Sequence, residues 1–210
     1  MLTLILSEDL IQEEEQLEEN VSVPERLTYR IQEWNKINAG IDIQTGASPN
    51  WTSIEGLHQL EAIQKYKEYH ATLPQMLEYA RQLKKEIKER IVIQTDQIKV
   101  INPPFLVPKP GNKWRKILDC RQVNAVTNLI KFKMEGSEFI KQILEKQNFA
   151  ITLDLEEAFH HIIISPDLLP YFGFAFQGRL FTQSGLPFGY KNSPYHFNKV
   201  LSIAIRAIRQ

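Results

Sequence analysis

The run TLDLEEAFHHI, Thr152 to Ile162, sets one carboxylate, Asp154, inside a stretch that reads as a buried strand. An ionised carboxylate is costly to bury unless a cation or a metal pairs with it, so Asp154 asks for a partner. Near a strand end it can ligate a hard divalent cation together with a neighbouring backbone carbonyl. Mg2+ takes oxygen ligands and is commonly held by one or two carboxylates plus substrate phosphates. The alternative is an Asp that caps a helix beginning near Glu156. His160 and His161 are adjacent, with no Cys and no third His beside them, so zinc ligation is not expected. His160 is expected against the sheet and His161 in solvent.

Two further stretches carry chemistry. In KPGNKWRKILDCRQVN, Lys109 to Asn124, Pro110-Gly111-Asn112 reads as a turn, and the strand after it opens with Lys113, Trp114, Arg115 and Lys116. Such a hairpin tip can offer cations to phosphates while the indole packs on the sheet; it can equally be solvated surface. In SGLPFGYKNSPYHF, Gly185, Pro187, Gly189 and Pro194 mark a rigid loop, and Ser193-Pro194 starts a helix whose first amides can meet a phosphate. A purely structural turn satisfies the same residues.

The elements that position these residues fall into two styles. In RLTYRIQEWNKIN, Leu27, Ile31 and Trp34 have helical spacing, and Gly40, Gly46 and Pro49 then predict a loop. A helix is expected from Ile54 to about Tyr69. Another starts at Pro74 and presents Met76, Ala80, Leu83, Ile87 and Ile91 on one face. After Ile91 the chain turns rich in β-branched and aromatic residues punctuated by Pro, Gly and Asn: VIQTDQIKVINPPFLVPK, KWRKILDCRQVN, FAITLDL, HIIISP and YFGFAFQGRLFTQ. Gln177-Gly178 reads as a hairpin turn, Ser165-Pro166-Asp167 as the cap of a short helical turn, and Ser193 onward as a helix with Phe197, Val200, Leu201, Ala204 and Ile208 on one face. The expected class is α+β: a mostly helical region over 1–90, then a strand-rich domain over 91–210.

With 210 residues and 43% hydrophobic content the chain can bury a sizeable core. Its single cysteine, Cys120, excludes an internal disulfide framework and fits a reducing compartment as a small buried apolar residue. The apolar run in MLTLILSEDL is too short to span a membrane and lacks a basic flank, so no membrane or targeting segment is read and an intracellular site, cytoplasmic or nuclear, is expected. The net charge of zero argues against a generally nucleic-acid-binding surface, but the charge is unevenly spread. Six Glu and one Asp lie between Glu8 and Glu19, read as a solvated or disordered acidic segment, whereas Lys99 to Lys133 holds six Lys and two Arg against Asp119 alone.

FLVPKPGNKWRKILDCRQVN, TLDLEEAFHHI and FAFQGRLFTQSGLPFGYKNSPYHFNKVL together resemble three consecutive blocks of a retroelement reverse transcriptase. LPFG followed by Ser-Pro-x-x-F is similar to the gypsy and DIRS-type lineage and its pararetroviral relatives. The likeness runs from about Pro104 to Gln210, with a weaker one in RLTYRIQEWNKIN to the leader of DIRS-type polymerases. It implies the fingers and part of the palm of a right-hand polymerase. Asp154 then corresponds to the first metal-binding aspartate and Leu155 to the residue lending its carbonyl to that metal. Phe159 corresponds to the steric gate against a ribose 2′-OH. Arg115 corresponds to the fingertip arginine on the incoming triphosphate, with Lys109 or Lys113 assisting. Phe188 and Gly189 correspond to the loop under the nascent base pair, and Lys191, Asn192 and Pro194 to template contacts. Glu157 stands where relatives often carry Asp. The implied partners are an RNA or DNA template-primer and a deoxynucleoside triphosphate, with Mg2+ or Mn2+ as cofactor and no membrane.

Two-metal phosphoryl transfer, with ions about 3.5–4 Å apart, needs more than one carboxylate. The family's aromatic-x-Asp-Asp hairpin has no match here: the aspartates are Asp9, Asp42, Asp96, Asp119, Asp154 and Asp167, none adjacent. A fragment inactive alone is therefore expected, with a partner chain as one source of the missing palm and thumb; primer extension abolished by Asp154→Ala would overturn that. The competing expectations are a non-catalytic nucleic-acid-binding or assembly module and a remnant without function.

Overall fold

The computed structural model describes residues 21–111, 113–134, 136, 141–142, 145, 147, 149 and 154–209. The acidic run of Glu8 to Glu19 and the strand expected through Thr152-Leu153 lie outside them.

The helical part is built of short pieces. A 3-10 turn, Val23–Glu25, leads into α1 (Arg26–Tyr29) and α2 (Ile31–Lys36), which break at Arg30 rather than forming one helix. Leu27, Ile31 and Trp34 still pack against the core, as their spacing requires. The expected loop after Asn38 instead holds α3 (Gly40–Thr45), closed by Gly46 at φ +60°. A Cβ there would sit 2.3 Å from the Ile163 carbonyl oxygen, so only glycine fits. α4 (Ile54–Ala62) starts at Ser53, whose Oγ accepts the Gly56 amide, and stops well short of Tyr69. α5 (Leu73–Lys88) starts one residue before Pro74; the Gln75 side chain accepts the Thr72 amide, one half of a capping box. Of the expected stripe, Met76, Ala80, Leu83 and Ile91 pack in or against the core, but Ile87 is 42% exposed, and Tyr79 and Glu86 are buried beside them.

The strands form two antiparallel units. β1 (Val92–Gln94), β5 (Arg179–Gln183) and β4 (Gly173–Phe176) pair in the order β1-β5-β4, with Val92 opposite Gln183 and Phe174 opposite Phe181. β2 (Pro104–Lys109) and β3 (Lys113–Leu118) make a separate hairpin, Val107 opposite Arg115. Gln177 and Gly178, at φ +50° and +71°, form the tight turn their types predict. HIIISP is not a strand: Ile163 and Ile164 each make one isolated bridge, to Gly185 and Ala47. Pro166 to Leu168 turn into a 3-10 segment, Leu169–Phe172. α6 (Arg121–Ala125) follows β3, and α7 (Ser193–Ile208) opens on Pro194 as expected.

The core lies between α5 and the three-stranded sheet. Tyr79 stacks on Tyr69 at 4.6 Å and meets Phe176 at 4.8 Å, and every residue of β4 is buried. Cys120 is buried, and burial pushes its thiol well above the usual range, so it is the inert apolar residue expected. Among the described residues no helix is long and apolar enough to cross a membrane.

Candidate active site

The β2–β3 hairpin turns through Pro110 and Gly111, the latter at φ +79°, and alternation then sorts its side chains. Lys113 and Arg115 point outward and are exposed. Trp114 packs on the core, with its carbonyl accepting Gln82 Nε2 at 3.0 Å. Lys116, expected among the presented cations, points inward. Its ammonium pairs with Glu86 of α5, the two side chains being 6% and 11% exposed, and lies 5.3 Å and 4.9 Å from the Tyr79 and Phe174 ring centres. An inward-facing lysine is tolerable only because this carboxylate and these ring faces meet it.

Opposite the hairpin lies the turn that carries Asp154. Asp154 and Leu155 are exposed and lie in irregular chain, which corrects the expected buried strand at these two positions. The capping alternative also falls away: Glu157, at φ +53°, precedes the 3-10 segment Ala158–His161. Lys85 of α5 holds this turn, its Nζ lying 3.2 Å from Glu156, 3.9 Å from Glu157 and 3.7 Å from Glu89. Burial works against the Lys85 charge, but the three carboxylates prevail and raise its pKa. Glu157 Oε2 lies 2.9 Å from His160 Nδ1, and that contact, stronger than the opposing burial, holds the Glu157 carboxyl below its usual range. His160 is buried as expected. His161 is half-buried rather than solvent-facing, and burial lowers its pKa.

The third wall is the loop 185–192. Leu186 N donates to the Ile162 carbonyl and Ile164 N to that of Ser184, tying this loop to the Asp154 turn. Gly185 has no room for a side chain, since a Cβ would lie 2.3 Å from the His160 carbonyl oxygen. Leu118 N donates to the Phe188 carbonyl at 3.0 Å, and the Gly189 carbonyl accepts Asn124 Nδ2 at 2.8 Å. Phe188 is thus set against Phe159 at 4.9 Å, with the Arg115 guanidinium 5.3 Å from its ring centre.

The result is a cleft of about 600 Å3 whose walls include Lys109, Lys113, Arg115, Asp154, Leu155 and Phe188. Six site residues separated by up to 79 positions therefore meet at one place (188 − 109). Phe159 supports the cleft from behind Phe188. Gly189 lines a neighbouring cavity instead, beside Phe105 and Ile117, which share the hairpin face of Arg115. Lys191 donates to the Asn124 carbonyl at 2.5 Å. Asn192 is fully buried, its amide bridging the Asn128 carbonyl and the Ile130 amide, and Pro194 is half-buried in the first turn of α7. Among the described residues no three His, Cys, Asp or Glu side chains group as a metal site. Asp154 nevertheless offers what a hard cation takes, an exposed carboxylate in a cleft with room for phosphates.

Sequence reasoning missed Lys85 and Glu86. For Glu86 a signal exists: Tyr79, Leu83 and Glu86 follow i, i+4, i+7, which puts an acid on a buried face and asks for a cation. For Lys85 the i, i+4 spacing to Glu89 signals only a pair within the helix, because Glu156 lies 71 positions on.

Residues 107–210 match the family described as reverse transcriptase (RNA-dependent DNA polymerase). The chain is 29% identical over 171 residues to the Gag-Pro-Pol polyprotein of Human T-cell leukemia virus 2, covering 78% of this chain and 12% of that one. It is 35% identical over 111 residues to the Pro-Pol polyprotein of Simian foamy virus type 1, 53% of this chain and 10% of that one. The retrovirus-related Pol polyprotein from transposon 412 of Drosophila melanogaster is 29% identical over 148 residues, 68% of this chain and 12% of that one. The chain thus spans only about a tenth of these relatives. In structure it is similar to the foamy viral protease-reverse transcriptase in complex with double-stranded DNA, with TM-score 0.62 and 26% identity over 68% of this chain and 25% of that one. The same viral protein with an RNA/DNA hybrid gives TM-score 0.60 and 26% identity over 69% and 19%. The α+β fold therefore resembles that of the reverse transcriptase fingers and palm region with a helical part before it, and residues 107–210 match a reverse transcriptase domain, similar to the Pol polyproteins of retroviruses and retrotransposons.

Proposed function

We propose that the cleft between the β2–β3 hairpin and the Asp154 turn binds a deoxynucleoside triphosphate for RNA-directed DNA synthesis on a template-primer. The observation that carries this reading is the convergence of Lys109, Lys113 and Arg115 on one wall with Asp154 on the other, over the ring of Phe188. A triphosphate is a multiply charged anion of oxygens, and exposed guanidinium and ammonium groups bind it by charge-assisted hydrogen bonds. Asp154, with the Leu155 carbonyl, would hold Mg2+ or Mn2+, which when bound neutralises phosphate charge and stabilises the attacking and leaving oxygens. Phe159 backs the sugar position as the gate against a 2′-OH. Gly189, Lys191, Asn192 and Pro194 lie on the side assigned to template; the buried Asn192 acts by fixing the loop rather than by touching nucleic acid. On this reading residues 91–210 carry the fingers and part of the palm, residues 1–90 precede them, and the lineage is gypsy/DIRS-type, supported by LPFG with Ser-Pro-x-x-F.

One aspartate does not hold two metals, so synthesis takes further carboxylates from outside these 210 residues or from a second chain. Binding is therefore the direct test. dATP with Mg2+, titrated calorimetrically into the chain, should bind more weakly by about tenfold or more after Arg115→Ala, the loss of one hydrogen bond to a charged group. Asp154→Asn should remove the Mg2+ dependence. Equal binding by wild type and both variants defeats the proposal. Salt-dependent duplex binding that is weakened by Arg115→Ala and indifferent to Asp154→Ala would favour a nucleic-acid-binding module instead.

A further inference from the structure

α5 lies outside the 107–210 segment that the family match covers, yet it touches both walls of the cleft. The contacts come from two consecutive residues of opposite charge. Glu86 reaches under the hairpin to Lys116, the residue after Arg115. Lys85 reaches across the rim to Glu156 and Glu157, two and three residues after Asp154. Gln82, one turn earlier, donates to the carbonyl of Trp114, the residue before Arg115. A helix is a rigid spacer, so the distance between its anchor points on the two walls is set by its own geometry.

We propose that Lys85 and Glu86 are positioning residues that fix the Arg115 wall and the Asp154 wall at the separation a metal-bound triphosphate needs. This rests on the nucleotide reading of the cleft. The two anchors differ in kind. Glu86–Lys116 is buried and has no alternative partner in solvent, so it sets the inner edge of the hairpin. The Lys85 cluster is half-exposed and screened by salt, so it tethers the turn loosely and in proportion to charge. Glu157 links that tether inward, through His160, to the Phe188 ring 5.6 Å from the imidazole.

The test is dATP binding with Mg2+ by the full chain, together with a readout that needs no ligand. Lys85→Ala should weaken binding about threefold, the size of an exposed pair, and should speed hydrogen exchange across residues 154–162 with little change in melting temperature. Lys85→Arg should retain both properties. Lys85→Glu should weaken binding further, and adding Glu156→Lys to it should recover most of the loss. Lys88→Ala, an exposed lysine on the same helix, should change nothing. Glu86→Gln is expected to weaken binding about tenfold, and the Lys85 series decides the matter if that variant does not fold. The proposal is overturned if Lys85→Ala and Lys85→Glu bind and exchange like wild type while Arg115→Ala loses dATP. If Arg115→Ala also binds like wild type, the nucleotide reading falls with it.

Discussion

The two faces of β3 carry the same kind of residue in opposite circumstances. Lys116 is buried between α5 and the sheet, met by Glu86 and by the rings of Tyr79 and Phe174. Lys113 and Arg115, on the other face, are exposed at the cleft. A cation with its carboxylate supplied serves the fold; a cation left facing a cavity serves whatever anion enters it. Alternation along one strand therefore divides a basic run that looks uniform in sequence into a structural half and a binding half. Lys99 and Arg121 are paired as well, with Glu61 and Asp119, but at the exposed surface.

The largest effect should come from breaking the buried half. Glu86→Ala strands a buried ammonium, and urea denaturation should show a loss of about 3–5 kcal/mol. Adding Lys116→Met should return most of it, because a well-packed apolar chain costs less there than an unpaired charge. If the double variant is no better than the single, the pair is not the structural unit described here.

Next in size is the loop that seats Phe188. Gly189 has φ +119°, and a Cβ would stand 1.9 Å from the Leu118 carbonyl oxygen. Gly189→Ala should therefore cost about 2–3 kcal/mol and loosen Phe188 from under Arg115. Fluorescence of Trp114, on the same strand as Arg115, gives a local reading of that loosening. A variant as stable as wild type would mean that the loop carries no such constraint.

What could be read from the sequence follows the range of the interactions. Turns are local, so Pro110-Gly111 and Gln177-Gly178 stand where their types place them, and the starts of α5 and α7 follow from Pro74 and Pro194. The six named residues that line one cleft come from short blocks whose strand and turn signals are local as well. What escaped depends on distant partners: Ile87 was expected inside and is out, because Glu86 takes the inner position to reach a lysine 30 residues on. The turn of Asp154 and the single bridges of Ile163 and Ile164 likewise depend on segments brought from elsewhere, which no alternation of apolar residues records.

An effect of similar size appears with pH, in α7. Burial, with Lys199 adding repulsion, lowers the His196 pKa from 6.5 to about 4. The folded state then binds the proton less readily than the unfolded chain. The contribution of His196 is full above pH 6.5 and falls as pH drops toward 4, by about 3 kcal/mol at most. His196→Gln should reduce the slope of the unfolding free energy across that window, leaving the share of His161. A wild-type profile already flat there would place His196 outside the packed structure.

The smallest effect on stability should belong to Arg115, and it is the one that sharpens the comparison most. Its guanidinium is exposed over the Phe188 ring, a contact worth about 0.5–1 kcal/mol at an exposed site. Arg115→Ala should therefore unfold within about 1 kcal/mol of wild type, several-fold less than Glu86→Ala, although Arg115 is the chain neighbour of Lys116, the lysine that Glu86 pairs with. Measured in the same urea series, the two variants separate the faces of the strand: stability is lost from the inner one and dATP binding from the outer one. Should Arg115→Ala instead unfold the protein as readily as Glu86→Ala, the cleft wall would be part of the core, and the cations of the hairpin would form one structural set with no half reserved for a ligand.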